Sequence, residues 1–370
     1  MEHSILAEAT NTNMGVFLKN RVYSGLYYPD FFPIRKVDSL SYETLIGSMG
    51  NRIAADVTAY NASAPEKSRK VVDRLTGQIP PTRMKKIMRE TDINLYNQLK
   101  ARGITDVDRL MDLVFGDVEA CVDGVNGRLE WLTLQALSKA QISLSTTNNA
   151  GVITQKAIDF QMPSANKEVE AAAAQYWTTG AYTTNTPITD IETIVAEAKA
   201  AGSIIKRIFM NQTKWIAFRT STQVQDMFNF AFFVGGTQVR RAPTLKQANE
   251  SLADYGLPQI TVIDTSVSLE TADHVISAVD PWLDADSADR FVLFTPELPL
   301  GEMLVGPIAE ETNPPKQMSQ AKKGHILVSK WSTGDPVSEL TKGETNAFPS
   351  FTKVDMCWNL DTESHTTWDA

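Results

Sequence analysis

The side chains that most often carry chemistry are sparse in this chain and do not combine into a catalytic spacing. The four histidines have no spacing typical of metal ligands and are interpreted as surface or strand residues; they are His3, His274, His325 and His365. The segment DADSADR at 284–290 alternates carboxylates but lacks the glycine and the distant glutamate of a calcium loop. It is interpreted as a solvated turn.

The motifs of common enzyme classes are also absent, since the sequence has no GxxxxGK[ST], GxGxxG, GxSxG or HExxH. Cys121 and Cys357 lie in apolar segments without CxxC spacing, which excludes a disulfide framework and a cysteine-rich zinc site. We therefore predict no catalytic residue, no metal and no cofactor. An enzyme with an unrecognised site at 164–320 stays an alternative, because many active sites have no sequence motif.

The composition predicts a folded protein of a reducing compartment. With 370 residues, 42% of them hydrophobic and 21% charged, the chain can bury enough apolar surface to offset its ordering entropy. No apolar run approaches the roughly 18 residues of a membrane helix, and Glu2 and Glu8 do not fit a signal peptide. The sequence thus predicts residence in a cytoplasm and no membrane partner.

Charge is distributed unevenly along the chain. Residues 1–104 carry 15 Lys+Arg against 10 Asp+Glu, whereas the remaining 266 residues carry 20 against 34, for a net charge of −9. The acidic total disfavours a dedicated duplex-binding protein. Two interpretations stay open: a solvated face, or self-association in which the basic early region of one copy meets the acidic body of another.

The first fifty residues show no regular period and are predicted to form an extended arm. Pro29 and Pro33 interrupt any helix in the segment 22–37. This segment concentrates aromatic side chains, namely Tyr23, Tyr27, Tyr28, Phe31 and Phe32. We expect them to cover either the body of this subunit or a partner, because exposed aromatic side chains usually mark a contact surface.

Two strand-like segments follow, joined by a polar tip around Pro65, and predict a long β-hairpin. The stretch 66–89 is the most basic of the chain; its cationic residues are Lys67, Arg69, Lys70, Arg74, Arg83, Lys85, Lys86 and Arg89. Aromatic stacking residues are absent from it. Contact with acidic neighbours is therefore favoured over binding of a nucleic-acid strand.

Residues 105–140 have the clearest helical period, with Thr105 as the predicted N-cap. Gly116, Gly124 and Gly127 lie inside it, and each costs about 1 kcal/mol relative to alanine, so packing has to stabilise this helix. Cys121 on its apolar stripe is interpreted as a small core residue.

The remainder predicts an α+β fold, because helices and strands mix without strict βαβ alternation. A hairpin is expected with its turn at 148–151. Capping boxes are predicted at Thr189–Glu192 and Thr244–Gln247. Two short helices are expected near 212–229. Strands are predicted at IIKRIFM, QITVID, VISAVD, RFVLFTPE, MLVGPI, HILVSKW and TKVDMCWNL.

The order of these parts resembles the major capsid protein of tailed bacteriophages, in the lambda-type capsid protein E family with the Hong Kong 97-like fold. AADVTAYNASAPEKSRKVVDRLTGQIPPTRMKKIM resembles the extended loop of that family. ANESLADYGLPQITVID resembles its helix, turn and strand, with Gly256 and Pro258 in the turn. RFVLFTPELPLGEMLVGPIAEE resembles its strand and turns on Gly301, Gly306 and Pro307, and FPSFTKVDMCWNL resembles its closing strand.

The resemblance covers nearly the whole chain and implies an architecture. It implies an N-terminal arm at 1–46, an extended loop at 47–90, a peripheral domain with a spine helix at 91–163, an axial domain at 164–320, and closing strands at 321–370 that return to the peripheral domain. It also implies a structural protein and not an enzyme. Such subunits form hexamers and pentamers of an icosahedral shell around double-stranded DNA, which lies on the inner face without sequence specificity.

The same resemblance implies contacts and partners. The inter-subunit candidates are the five arm aromatics already named together with Lys67, Arg69, Lys70 and Arg74. No long charged helical segment precedes the arm, so a separate scaffolding protein is expected, with a portal protein and a decoration protein as further partners. Covalent cross-links through Lys67 or Lys70 are not expected. The implied location is the virion capsid, assembled in the host cytoplasm; a cellular nanocompartment shell of the same fold is the alternative.

Overall fold

The computed structural model describes residues 4, 6, 8–46, 73–101, 107–151, 157–228, 233–234, 237–238, 241–271, 274–282, 290–315, 318–364, 366 and 368. Within them the α-helices are α1 (Asn11–Asn20), α2 (Tyr28–Phe31), α3 (Glu90–Ala101), α4 (Val107–Lys139), α5 (Pro187–Ala201), α6 (Gln212–Thr220), α7 (Thr222–Phe228), α8 (Leu245–Asp254) and α9 (Ala309–Thr312). Short 3-10 helices lie at Ser164–Asn166, Ala173–Gln175 and Val354–Met356.

The strands of the described residues form two large sheets and four two-stranded ladders. They are β1 (Ile34–Lys36), β2 (Ser41–Ile46), β3 (Asp73–Gln78), β4 (Pro81–Met88), β5 (Gln141–Ser143), β6 (Ala157–Asp159), β7 (Lys167–Val169), β8 (Arg207–Asn211), β9 (Phe233–Val234), β10 (Thr237–Gln238), β11 (Gln259–Ile263), β12 (Val267–Glu270), β13 (Ile276–Val279), β14 (Phe291–Thr295), β15 (Glu302–Val305), β16 (Ser319–Lys323), β17 (Ile326–Gly334), β18 (Val337–Ser350) and β19 (Trp358–Asp361). The ladders are β2–β3, β5–β6, β9–β10 and β12–β13.

Helix α4 confirms the long helix predicted from the apolar period; its predicted cap at Thr105 lies outside the described residues. Its first half packs on α1, α3, β16 and β17, and its second half enters the largest apolar core. Lys330, fully buried on β17, donates from Nζ to the carbonyl oxygen of Val114 at 2.7 Å. No helix of the described residues is long and apolar enough to cross a membrane.

The six-stranded sheet has the order β1-β15-β18-β17-β16, with β4 as a further partner of β18. Residues 339–344 of β18 pair with β17 on one side and with β4 on the other. The sequence did not predict β18. Residues 81–88 form β4, which pairs with β18 from Glu339 to Asn346.

The five-stranded sheet has the order β11-β8-β14-β19-β7. Helices α5, α6 and α8 pack on it over a core that includes Trp215, Phe218 and Phe294. The closing strand predicted at TKVDMCWNL is present as β19. It pairs with β14 and with β7. Trp358 and Leu360 of β19 are buried in this second core.

Helix ends show which local signals were sufficient. The capping box of Thr244 and Gln247 is present at the start of α8. The box predicted at Thr189 and Glu192 was wrong, because Pro187 begins α5 two residues earlier with Thr186 as N-cap. Gly202 and Gly256 end their helices at positive φ, 89° and 71°, where glycine has no steric penalty.

The first fifty residues are more regular than predicted. Thr10 caps α1, accepting from the backbone N–H of Asn13 at 3.2 Å, and Met14 and Leu18 of this helix are fully buried. The ring of Phe17 stacks on Phe115 of α4 at 4.9 Å. Helix α1 is only ten residues long, so its apolar period is too short to stand out in the sequence.

Candidate functional site

The hairpin base is formed by β2 and β3, which pair antiparallel from Ser41–Gln78 to Ile46–Asp73. The ring of Tyr42 stacks on Phe348 of β18 at 5.3 Å and so fixes the ladder to the six-stranded sheet. Gly77 lies directly under this ring, where a Cβ would stand 2.7 Å from the Tyr42 hydroxyl oxygen. The ladder is thus anchored at one end to the body of the subunit.

The basic residues predicted on this hairpin are only partly placed. Arg74 lies on β3 opposite Leu45. Lys67, Arg69 and Lys70 lie outside the described residues. Their role at a subunit contact stays a prediction.

Three of the five arm aromatics are buried in this chain's own core, which corrects their assignment as inter-subunit contacts. Tyr28, Phe31 and Phe32 are 4%, 2% and 0% exposed. Phe31 meets Phe209 edge to face at 4.8 Å, and Phe32 meets Phe351 at 5.8 Å. The sequence left open whether these side chains cover their own subunit or a partner, and these three cover their own subunit.

Glu130 of α4 holds the start of α2. Its carboxylate accepts from the backbone N–H of Tyr27 at 2.9 Å and from that of Tyr28 at 2.9 Å. Burial raises the pKa of Glu130, and the two N–H donors act against that rise. The Tyr28 hydroxyl donates to Asn126 Oδ1 at 3.1 Å, so the arm is bound to the long helix through polar as well as apolar contacts.

Tyr23 and Tyr27 are half-buried and keep part of their rings accessible. Lys323 lies over the Tyr23 ring at 5.6 Å and donates to the carbonyl oxygen of Leu18 at 2.7 Å, at the end of α1. Burial, with Asp123 next, raises the pKa of Tyr23 to about 12. These two tyrosines remain the arm's candidates for contact with another subunit.

The turn residues singled out in the sequence have distinct structural reasons. A Cβ at Gly301 would lie 1.9 Å from the carbonyl oxygen of Ser350, so only glycine allows this approach between β15 and β18. At Gly306 a Cβ would meet Leu40 at 2.8 Å. The Pro307 carbonyl accepts from Asn346 Nδ2 at 2.6 Å.

In the other predicted turn, Gly256 has a positive φ, and Pro258, two residues later, is buried.

The basic face of β4 is partly neutralised inside the chain. Arg83 Nε stands 2.9 Å from Glu344 Oε2, and Lys342 Nζ is 3.0 Å from the same oxygen. Lys342 also pairs with Glu310. The sequence did not reveal this network because Arg83 lies 261 residues before Glu344, and only the pairing of β4 with β18 brings the two together. Lys85, Lys86 and Arg89 stay exposed.

A cleft of about 1390 Å³ lies between the arm, β4, α4 and β12. Its charged lining mixes Glu119, Asp123 and Glu130 with Arg83 and Arg128. Burial lowers the pKa of Arg128 to about 10. Among the described residues no group of His, Cys, Asp and Glu side chains has the arrangement of a metal site.

Carboxylates cluster beside the five-stranded sheet, where the chain leaves β7 and β19. Buried Lys214 donates to Glu363 Oε1 at 2.5 Å and to the Trp177 carbonyl at 3.0 Å. Asp190 accepts from Trp177 Nε1 at 2.9 Å, and burial raises its pKa to about 6. Burial, then the charge of Asp190, raises the pKa of Glu170 to about 9. This cluster joins the tail to the loop before α5.

Neither cysteine is activated. Cys121 and Cys357 are fully buried free thiols, and burial raises the pKa of Cys121 to about 11. The prediction of Cys121 as a core residue is confirmed. Burial likewise lowers the pKa of His325 to about 4, which leaves a neutral ring edge-on to Tyr28. The segment at 284–289 lies outside the described residues.

Together these features define a structural subunit with an anchored arm, a hairpin base and a long helix over a sheet. A family model for phage major capsid protein E matches residues 23–362, and this chain belongs to that family. It is therefore a structural capsid protein of the phage virion and not an enzyme. The search of curated proteins found no match.

Solved structures show the same fold. A structure described as the capsid protein of a prophage of E. coli CFT073 is 14% identical, covers 95% of this chain and 98% of its own, and has a TM-score of 0.57. A phage-related protein from Bordetella bronchiseptica RB50 is 12% identical, with 97% and 99% covered and a TM-score of 0.54. The resemblance inferred from the order of sequence motifs, and the α+β capsid fold, are confirmed.

Proposed function

We propose that this chain assembles with copies of itself into hexamers and pentamers of an icosahedral shell that encloses double-stranded DNA. The observation that carries the proposal is the β2–β3 ladder, which is paired from Ser41–Gln78 to Ile46–Asp73 and, within the described residues, shares no strand pairing with either large sheet. A two-stranded ladder alone is marginally stable in water. A neighbouring subunit that packs on it would supply the missing burial, and closed symmetry would repeat the contact.

Charge supports the same proposal. The basic early region holds Lys67, Arg69, Lys70 and Arg74, while the remainder of the chain is acidic. Opposite charges on two copies would set the register and the rate of association more than the final affinity. Tyr23 and Tyr27, half-buried on the arm, supply aromatic area of the kind found in contact hot spots.

The proposed division is arm 1–46, extended loop 47–90, peripheral domain 91–163 with the long helix, axial domain 164–320, and closing strands at 321–370 that return to the peripheral domain. Scaffolding and portal proteins are the proposed partners in the host cytoplasm, with a decoration protein as a further candidate. DNA would lie against the inner face without sequence specificity, since the net charge of −9 disfavours a dedicated DNA-binding surface.

The test is negative-stain electron microscopy of the full chain, expressed alone and with its neighbouring genes. Closed shells, tubes or rings of subunits are expected, and particles formed with the neighbouring genes should contain DNA. Shells that hold protein cargo and no genome would favour the nanocompartment alternative. A dispersed monomer under both conditions would contradict the proposal.

A further inference from the structure

Strand β11 is the last strand on one side of the five-stranded sheet, and within the described residues it pairs only with β8. The pairing is parallel, and the N–H of Gln259 donates to the carbonyl of Lys206 at 3.4 Å. In a parallel ladder alternate residues face the same neighbour. Gln259, Thr261 and Ile263 therefore face β8, whereas the backbone groups of Ile260 and Val262 face outward.

The outward groups of Ile260 are occupied by one side chain. Asn249 Oδ1 accepts from the backbone N–H of Ile260 at 2.8 Å, and Asn249 Nδ2 donates to the carbonyl oxygen of Ile260 at 2.8 Å. A residue of an added antiparallel strand would make this same reciprocal pair of bonds at a hydrogen-bonded position. The side chain of Asn249 thus takes the place of a strand.

Local signals place Asn249 at this edge. The capping box of Thr244 and Gln247 fixes where α8 begins. Ala248 and Leu252, both fully buried, hold one face of the helix against the sheet. Asn249 follows Ala248 directly, and its own half-buried position brings the amide to the rim of the sheet.

The edge that Asn249 covers has the composition of an associating strand. β11 reads QITVI, with β-branched residues in four of five positions and no charge. Exposed, uncharged strand edges are templates for pairing between chains, and proteins usually block them with lysine, proline or a covering element. None of the five residues of β11 is a lysine or a proline.

We propose that Asn249 closes the outer edge of β11 against strand addition by a second copy of this chain. In an assembling shell the local concentration of copies is high. With the β11 edge closed, the copies associate through surfaces other than this strand edge. The inference concerns a residue of the five-stranded sheet and goes beyond the proposed shell. The two proposals can fail separately. The role of Asn249 is tested by comparing variants of the full chain with the wild type, whereas the proposed shell is tested on the wild-type chain alone.

The test uses Asn249→Ala, because alanine keeps the helix propensity of α8 and removes both hydrogen bonds. Glu250→Ala is the matched control on the next, exposed position of the same helix. A second variant adds Gln259→Lys to Asn249→Ala. Gln259 is exposed on β11, and a lysine there opposes edge pairing without restoring either bond.

Hydrogen exchange followed by mass spectrometry reports on the Ile260 amide, and sedimentation with thioflavin T fluorescence reports on association. For Asn249→Ala we expect a wild-type circular dichroism spectrum, about tenfold faster exchange at Ile260, and concentration-dependent, thioflavin-positive association. Adding Gln259→Lys should suppress that association while exchange stays fast. Glu250→Ala should match the wild-type chain in all three measurements.

Two results would overturn the proposal. One is an Asn249→Ala chain that associates no more than the wild-type chain at the same concentration. The other is association that Gln259→Lys leaves unchanged, since this would assign the effect to loss of stability and not to an opened strand edge.

Discussion

Gly343, in the middle of β18, lies directly against the backbone of Cys121 on α4. A Cβ at Gly343 would stand 2.8 Å from the Cys121 carbonyl oxygen and 3.0 Å from its Cβ, closer than side-chain carbons approach in proteins. The long helix and the longest strand therefore meet with no side chain between them at this point. Close approach of two backbones is one of the few reasons for glycine inside a strand.

Gly343→Ala is expected to lower the free energy of unfolding by about 1–3 kcal/mol, because the contact is with backbone and α4 or β18 has to shift. Denaturant unfolding followed by circular dichroism measures the change. Gly334→Ala is the control, since a Cβ at Gly334 meets nothing within 4 Å. Equal stability of the two variants would show that helix and strand separate without cost.

Glu130→Gln is expected to loosen the arm, because the amide replaces an acceptor of two backbone N–H groups with one acceptor and one donor. Hydrogen bonds to a charged group contribute about 1.5–3 kcal/mol each, so cleavage by trypsin at exposed Arg21 should become faster. Glu302→Gln, which removes the exposed ion pair with Arg35 at 2.6 Å, is the control and should change stability by less than about 1 kcal/mol. An unchanged cleavage rate for Glu130→Gln would contradict the anchoring role.

Glu170 is expected to make the fold less stable as the pH rises. Its folded-state pKa of about 9 lies above the ordinary value of 4.5, so the folded chain holds a proton that the unfolded chain releases. The resulting stabilisation is fully present below pH 4.5 and is lost as the pH rises toward 9. Between pH 6 and 9 the wild-type chain should lose up to about 1.4 kcal/mol per pH unit relative to Glu170→Gln.

Urea unfolding of both chains across that range measures the difference. Glu250→Gln, on an exposed carboxyl of α8, serves as the control and should follow the wild-type profile. Parallel profiles for wild type and Glu170→Gln would show that Glu170 is ionised in the folded chain at neutral pH.

Reversal of charge at Arg69, Lys70 and Arg74 together should block assembly at physiological salt. The reason is that like charges would then meet at the proposed contact between the basic region and an acidic neighbour. Electron microscopy measures assembly, and circular dichroism checks that the subunit stays folded. Reversal at three exposed residues, Lys85 and Lys86 of β4 and Arg89 directly after it, provides a variant of equal charge change. Normal shells from the first variant would remove the loop's basic face from the list of contacts.

Shells boiled in SDS should release a single band near the monomer mass of 40.9 kDa. Covalent cross-linking would need a lysine, a matched asparagine and a supporting acid on adjacent subunits, and we do not expect Lys67 or Lys70 to meet that requirement. Denaturing gel electrophoresis of purified particles is the measurement. A ladder of multimers would show that the subunits are covalently joined.

The secondary structure was predictable where the signal is local. The apolar period of α4, the capping box at Thr244, and the helix ends at Gly202 and Gly256 all depend on residues within a few positions of one another. The Thr189 box shows the limit of such signals. Pro187, a residue type favoured at the first helical position, begins α5, so Thr189 already lies inside the helix that it was predicted to cap.

Strand β18 was missed because its pattern is polar. Polar residues such as Glu344 and Thr345 usually indicate a solvent-exposed segment, but in β18 both are buried. Their partners are Arg83 on β4 and the His325 carbonyl, which accepts from Thr345 Oγ1 at 3.0 Å. Buried polar side chains are stable only when they are hydrogen-bonded or paired with an opposite charge. Because these partners lie in other segments of the chain, a local sequence pattern does not predict them.

The sequence by itself determined the family, the order of parts and the absence of known catalytic motifs, because short-range patterns and their succession carry that information. Only the tertiary structure decided that Phe31 and Phe32 cover their own subunit, and that Asn249 occupies an edge of β11. Those outcomes depend on Phe209, Phe351 and Ile260, whose positions are set by packing between distant segments. The type of a side chain indicates in the sequence that an aromatic ring has to be packed or an amide has to be hydrogen-bonded. Which residue makes that contact depends on the tertiary structure.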